Sequence, residues 1–334
     1  MSVRVGMVSF AHVHAPQYAS ILGGLGTAEF VGVADDDGER GREAAGRYGV
    51  RYFEEAGDLF GAVDAVIVCS ENRWHARDVI PALRAGVDVL CEKPISTTPA
   101  DAREMIRVSE ETGSRLGIAF PVRHVPAIRK AREILRSGAI GRVLAVNGTN
   151  HGQIPGGWFL DPELSGGGAV MDHTVHLADT LRWMLGGEVK NVYAEVGSFF
   201  GAGSVDDAGM LTIEMEGEGI AGGVFATIDP SWSRGDGFPM WGDFTLRVTG
   251  SEGVLDVDAF NRSIMVLDHE AGGTSWTYTG EDPNALMIGD FLSGAEGGGI
   301  GAEGQDGLRA LEVVFAAYRS RESHAPVAVE RAKR

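Results

Sequence analysis

The first 120 residues alternate short apolar, β-branched runs with helix-period stretches, and this alternation constrains the fold more than any other feature. Strand-like runs cover Val3 to Ser9, Glu29 to Ala34, Ala65 to Cys69, Asp88 to Cys91 and Leu116 to Phe120. Helical patterns lie between them, from Pro16 to Leu22, Glu39 to Tyr48, His75 to Ala85 and Pro99 to Thr112. Strands joined in this way pair in parallel, because a parallel connection must be long enough to cross over the sheet. The run Val63 to Val68 is apolar except for Asp64, as expected when helices cover both faces. An open, doubly wound α/β sheet over residues 1–121 is the expected first domain.

Beyond Pro126 a helix runs to about Arg136 and stops at Ser137-Gly138. The texture then changes to alternating strands: Val189 to Val196, Met210 to Met215, Val224 to Ile228, Phe244 to Val248, Val254 to Val257 and Ile264 to Leu267. In Phe244 to Val248 every second residue is apolar, which buries one face and wets the other. Residues 122–334 are expected to form an α+β domain with an open, mainly antiparallel sheet. A last helix, 305–321, carries Leu308, Leu311, Val314 and Phe315 at helical spacing and is expected to pack back on the body.

Composition excludes several classes. Acids exceed bases by 47 to 29, a net charge of -18, so nucleic acid and anionic membrane are poor partners. No apolar stretch is long enough to span a bilayer, and Cys69 and Cys91 form neither a disulfide ladder nor a CxxC motif. A cytoplasmic protein is expected.

Ligands of doubly wound sheets bind beyond the carboxyl ends of the strands. After the first strand come Ser9, Phe10, Ala11, His12 and His14, with Ser9, Ala11 and His14 at the positions where a dinucleotide loop carries G-x-G-x-x-G. Asp35, at the end of the second strand, has the spacing of the acid that accepts ribose hydroxyls, although an acid there can equally cap the next helix. Three acids in a row, Asp35 to Asp37, disfavour a 2′-phosphate and favour NAD over NADP, with Arg40 and Arg42 as the opposing signal. The later strands run into Ser70, Asn72 and His75, and into Glu92-Lys93-Pro94. Lys93 is either a ligand contact or a solvated loop lysine. Gly166-Gly167-Gly168 opens a helix in which Asp172, His176 and Asp179 share one face, flanked by apolar residues. A histidine beside a carboxylate in such surroundings suits acid–base work, against the alternative of a wetted polar stripe.

Taken together, Glu92-Lys93-Pro94, Asn72, His75, Gly166 to Gly168 with Asp172 and His176, and Gly307 to Glu312 resemble the glucose-fructose oxidoreductase, inositol dehydrogenase and rhizopine-catabolism (Gfo/Idh/MocA) family. The resemblance implies a Rossmann domain that binds NAD(P), a C-terminal domain whose open sheet forms a homodimer or homotetramer, and hydride transfer at a hydroxyl carbon of a sugar, cyclitol or related polyol. It implies that Lys93 contacts nicotinamide and substrate, that His176 is the acid–base group and that Asp172 is its partner or a substrate ligand. Arg123, His124, His151 and Trp158 are further candidates for the substrate pocket. No metal is expected. Three alternatives stay open: an NAD-dependent glycosidase using transient oxidation, a non-catalytic sensor, and an amidohydrolase barrel in which His12-x-His14 starts a metal site.

Overall fold

A computed structural model describes residues 2–238, 240–260, 263–268, 273–278, 280–294 and 301–331. The first half is built from β1 (Val3–Val8), α1 (Ala15–Gly24), β2 (Ala28–Ala34), α2 (Gly38–Tyr48), β3 (Arg51–Phe53), α3 (Ala56–Phe60), β4 (Ala65–Val68), α4 (His75–Arg84), β5 (Asp88–Cys91), α5 (Pro99–Thr112) and β6 (Leu116–Ile118). These six strands are parallel, and β4 is buried along its whole length, as its unbroken apolar run requires. The strand order β6-β5-β4-β1-β2-β3 reverses between β1 and β4, which opens a crevice at their carboxyl ends. Here the backbone N–H of His12 donates to the carbonyl of Cys69, joining the two loops.

The second half begins with α6 (Pro126–Arg136), β7 (Val143–Thr149), α7 (Pro162–Ser165) and α8 (Ala169–Leu185). It continues with β8 (Glu188–Gly197), β9 (Ala208–Glu216), β10 (Phe225–Asp229), β11 (Thr245–Gly250) and β12 (Val254–Asp258), then the hairpin β13 (Ser263–Asp268) and β14 (Gly273–Tyr278). The chain ends with α9 (Pro283–Leu292), β15 (Ala302–Glu303), α10 (Gly304–Ser323) and β16 (Val327–Ala328). The second sheet has the order β12-β11-β7-β10-β9-β8-β16 and is antiparallel except where β10 meets β7. Helices α8 and α10 pack against it, with Leu308, Leu311 and Val314 buried as their spacing foretold.

Several features depart from the sequence reading. The segment between Tyr48 and Ala65 holds β3 and α3, too short to show a period. After residue 280 the chain returns to the first half: Met287, Ile288 and Leu292 of α9 pack with Val5, Met7 and Leu22, and β15 pairs antiparallel with β6. The first core is therefore completed by residues that the division after 121 assigns to the second domain. The glycine-rich stretch 294–304 lies partly outside the described residues. Two open seven-stranded sheets leave no place for an eight-stranded parallel barrel, so the amidohydrolase reading of His12-x-His14 is overturned. No described helix is long and apolar enough to cross a membrane.

Candidate active site

A cavity of about 470 Å³ lies between the halves, at the carboxyl ends of the first sheet. Lys93, from the end of β5, and Asp172, His173 and His176, from the first two turns of α8, line it together. The Lys93 ammonium donates to Asp172 Oδ1, with both side chains nearly buried. Asp172 Oδ2 accepts from the indole of Trp232 at 3.1 Å and lies 3.2 Å from His173 Nε2. Burial alone would raise the Asp172 carboxyl, but the charges of Lys93 and His173 outweigh it and hold the group well below the usual carboxylate range. The acid's partners are thus Lys93, Trp232 and His173. His176 is not hydrogen-bonded to it: burial first, then the Lys93 charge, push its imidazole well below the ordinary value, and Nδ1 has no hydrogen-bond partner among the described residues. Its ring meets Phe120 edge-on, with centroids 5.7 Å apart.

The turn after β1 lacks the glycines of a dinucleotide loop but holds one left-handed residue. Ser9 stands at φ 66°, the left-handed region that glycine enters without strain. The loop amides are largely spoken for: Phe10 N donates to Asp35 Oδ2, Ala11 N to Ser9 Oγ, His12 N to Cys69 O and His14 N to His12 Nδ1. Asp35 is also gripped by Arg40, with Nε to Oδ2 at 2.9 Å and Nη2 to Oδ1 at 2.6 Å. Capping of α2 falls to Asp37, which accepts from Glu39 N and Arg40 N, so Asp35 is left to face the loop.

At the end of β4, Ser70 Oγ and Asn72 Oδ1 are buried without partners among the described residues, while Asn72 Nδ2 donates to Ser165 O and ties the halves together. His75 is fully buried, with its ring nitrogens against the carbonyls of Pro94 and Ser70 at 2.9 and 3.2 Å. It braces the Lys93-Pro94 turn rather than facing the cavity. The buried atoms Ser70 Oγ and Asn72 Oδ1, the left-handed Ser9 turn and the Lys93 cavity fit a dinucleotide laid across the crevice.

Of the residues expected in the substrate pocket, His151 lines the cavity and Arg123 does not. Arg123 is buried elsewhere, bidentate to Asp179 at 2.8 and 2.5 Å and 3.1 Å from Asp306. The i, i+7 relation that put Asp179 on the Asp172 face therefore serves an internal ion pair. His124 is buried and also outside the cavity. Trp158 is a bridge, its indole donating to Ala11 O at 3.0 Å and its ring stacked on the cavity residue Phe159 at 3.9 Å. His173 and Trp232, both in contact with Asp172, went unread in the sequence. The separation of Trp232 from Asp172 along the chain leaves no local signal, whereas His173 directly follows the acid.

His151 sits between two carboxylates, with Nδ1 2.9 Å from Asp243 and Nε2 3.1 Å from Asp229, and Arg234 also grips Asp243. Burial opposes its charge, but the hydrogen bonds to Asp229 and Asp243 prevail and raise it from 6.5 to about 9. A group whose pKa rises on folding contributes stability that is complete below its unfolded value and is lost as pH climbs through the folded one. The melting temperature should therefore fall between pH 6.5 and about 9 in the native chain, and the fall should be smaller in His151→Gln. Parallel melts across that range check this; equal slopes for the two proteins refute it.

Comparison with known proteins matches both halves. Residues 3–120 match the model of the oxidoreductase family with an NAD-binding Rossmann fold, and residues 128–256 match the GFO/IDH/MocA C-terminal domain. The 1,5-anhydro-D-fructose reductase of Ensifer adhaerens is 31% identical over 307 residues, 87% of this chain and 88% of that protein. This chain belongs to the Gfo/Idh/MocA family. The myo-inositol 2-dehydrogenase of Thermotoga maritima is 28% identical over 338 residues, 98% of this Gfo/Idh/MocA oxidoreductase and 99% of that protein. A levoglucosan dehydrogenase solved with NADH and L-sorbose shares the fold, with a TM-score of 0.83, 21% identity and coverage of 99% and 100% of the two chains. The Gfo/Idh/MocA oxidoreductase described here thus has an NAD-binding Rossmann half and a second half that shares the Lys93 cavity with it.

Proposed function

We propose that this oxidoreductase transfers hydride between NAD and a hydroxyl carbon of a sugar, cyclitol or related polyol. One observation carries the reading: Lys93 from the first half and His176 from the second line a single cavity, with Asp172 fixing the ammonium. The nicotinamide, when bound, takes up or gives back the hydride. The neutral His176 imidazole, whose Nδ1 has no partner among the described residues, receives the hydroxyl proton. The Lys93 ammonium stabilises the oxygen as it gains charge. Asp172, Trp232 and His173 hold that ammonium in place. His151, held by its two carboxylates, shapes the cavity wall where the rest of the substrate would lie.

Cofactor contacts are assigned to Ser9, Phe10, Ala11, His12, His14, Asp35, Ser70, Asn72 and Glu92, with His75 supporting the Lys93 turn from behind. Because Asp35 and Asp36 both engage Arg40, a 2′-phosphate would meet two carboxylates whose cation is already shared. The expected result is NADH binding about tenfold or more tighter than NADPH, a difference of about 1.4 kcal/mol, read by fluorescence titration. A panel of sugars and cyclitols then tests the reaction: net NADH formation supports the dehydrogenase. Hydrolysis of a glycoside without net NADH would instead establish the glycosidase, and cofactor binding with no turnover anywhere would establish a sensor.

A further inference from the structure

Three of the side chains assigned to the cofactor, His12, His14 and Glu92, also form a set with metal-ligating chemistry of its own. His12 and His14 of the loop after β1 meet Glu92 at the end of β5, and one ligating atom from each lies within 4.8 Å of the other two. Glu92 Oε1 is 2.9 Å from His14 Nδ1 and 3.8 Å from His12 Nδ1. Donor atoms around a tetrahedral ion with bonds of about 2.0–2.2 Å sit roughly 3.4 Å apart. These two separations bracket that value, and all three donor atoms lie within 4.8 Å of one another.

Two further features point to a cation. His12 is 1% exposed, yet among the described residues its Nε2 has no partner, and its Nδ1 takes a 3.2 Å contact from His14 N–H. A fully buried imidazole with so little bonding is costly. Glu92 is 0% exposed; it accepts from the Lys93 backbone N–H at 3.0 Å, but among the described residues no lysine ammonium or guanidinium forms an ion pair with it, since the Lys93 ammonium is committed to Asp172. A buried carboxylate without a fixed cation is costly for the same reason. His12 and His14 also line the cavity beside Lys93, so three protein ligands would leave a further coordination position on the cavity side. That is the arrangement of catalytic rather than structural metal sites.

We propose that His12, His14 and Glu92 form a binding site for one divalent transition-metal ion, of the zinc, cobalt or iron class that imidazole and carboxylate ligands favour over magnesium or calcium. Its free position would take a water or hydroxyl oxygen in the cavity.

The test uses the full chain without nicotinamide, so that its outcome is separate from that of the dehydrogenase reading. Chelator-treated protein is titrated with Zn²⁺ and with Co²⁺, following heat of binding, melting temperature and the visible absorption of cobalt. The expected result is one ion per chain, a raised melting temperature and tetrahedral-type cobalt bands, none of them produced by Mg²⁺. His14 is partly exposed, so His14→Ala should fold, and Glu92→Gln keeps the shape of the side chain. Circular dichroism confirms both. Each should weaken binding by more than the roughly 10–100-fold that follows loss of an outer-shell partner. Equal affinity in native and variant chains, or binding with no defined stoichiometry, would mean an adventitious ion only and would overturn the assignment. NADH titration of the same chelated protein reports on the cofactor site independently.

Discussion

Lys93→Met should cut turnover by about 10²–10³-fold, the effect of removing one group that stabilises charge on a reacting oxygen. The difficulty is that Lys93 and Asp172 are also a buried pair, with side chains 5% and 10% exposed. Removing one partner of such a pair strands the other charge and costs about 3–5 kcal/mol, whereas removing both can be nearly neutral. Loss of activity in the single variant would therefore confuse chemistry with folding. The double variant Lys93→Met/Asp172→Asn separates them. The carboxamide introduced by the second substitution still offers an oxygen to the Trp232 indole, and no charge is left uncompensated. Urea unfolding should place the double variant well above the single one in stability, while kcat with the cognate polyol stays depressed in both. Recovery of turnover along with stability would show that the pair serves folding alone. Near-normal turnover in Lys93→Met itself would remove Lys93 from the reaction.

The parts of this molecule that were legible from sequence are those where one local rule dominates. Near-continuous apolar runs marked β1, β2, β4, β5 and β6 as strands of a parallel sheet, and Glu92-Lys93-Pro94 fell at the end of one of them, where ligands bind. Alternation marked β11, in which Leu246 and Val248 are buried, as half-wet. What escaped was set by distance along the chain. Helical spacing placed Asp179 beside Asp172 and His176, but a helix buried on nearly every side has more than one polar neighbour, and Asp179 found Arg123 instead. Spacing alone could not show that Asp172 would meet Trp232 sixty residues on. Return of α9 and β15 to the first half was hidden for the same reason: two residues pairing with β6 carry no period to read. The His12-x-His14 pattern reads as metal-like in the sequence, but Glu92 joins it only when the end of β5 comes beside the loop after β1.

Gly168→Ala should disable the site from behind while leaving every reacting group in the sequence. A Cβ on Gly168 would fall 1.7 Å from the carbonyl oxygen of Asp206 and 2.7 Å from its carbonyl carbon, both backbone atoms that no rotamer change can move. The contact cannot simply open, because Asp206 also holds the start of α8. Its carboxylate accepts from Gly168 N at 3.1 Å and Val170 N at 2.8 Å, its carbonyl accepts from Ala169 N at 2.9 Å, and Tyr318 donates to it at 2.9 Å. Pushing the two chains apart thus gives up amide partners at a helix start, about 0.5–2 kcal/mol, on top of an overpacking cost of about 1–3 kcal/mol. The displaced turn carries Asp172, one turn before His176, and a misplacement of about 1 Å at a catalytic group is enough for roughly 10²-fold in rate. Gly168→Ala should therefore lose both stability and about two orders of magnitude in kcat. NADH affinity should stay close to native, since the cofactor loop lies on the other half. Gly23→Ala is the control: it sits in α1 with nothing within 4 Å of the added carbon, where alanine is the better helix former and the melting temperature should hold or rise. A Gly168→Ala protein with native kcat would show that α8 can shift without consequence, and the role given to His176 and Asp172 would have to be withdrawn with it.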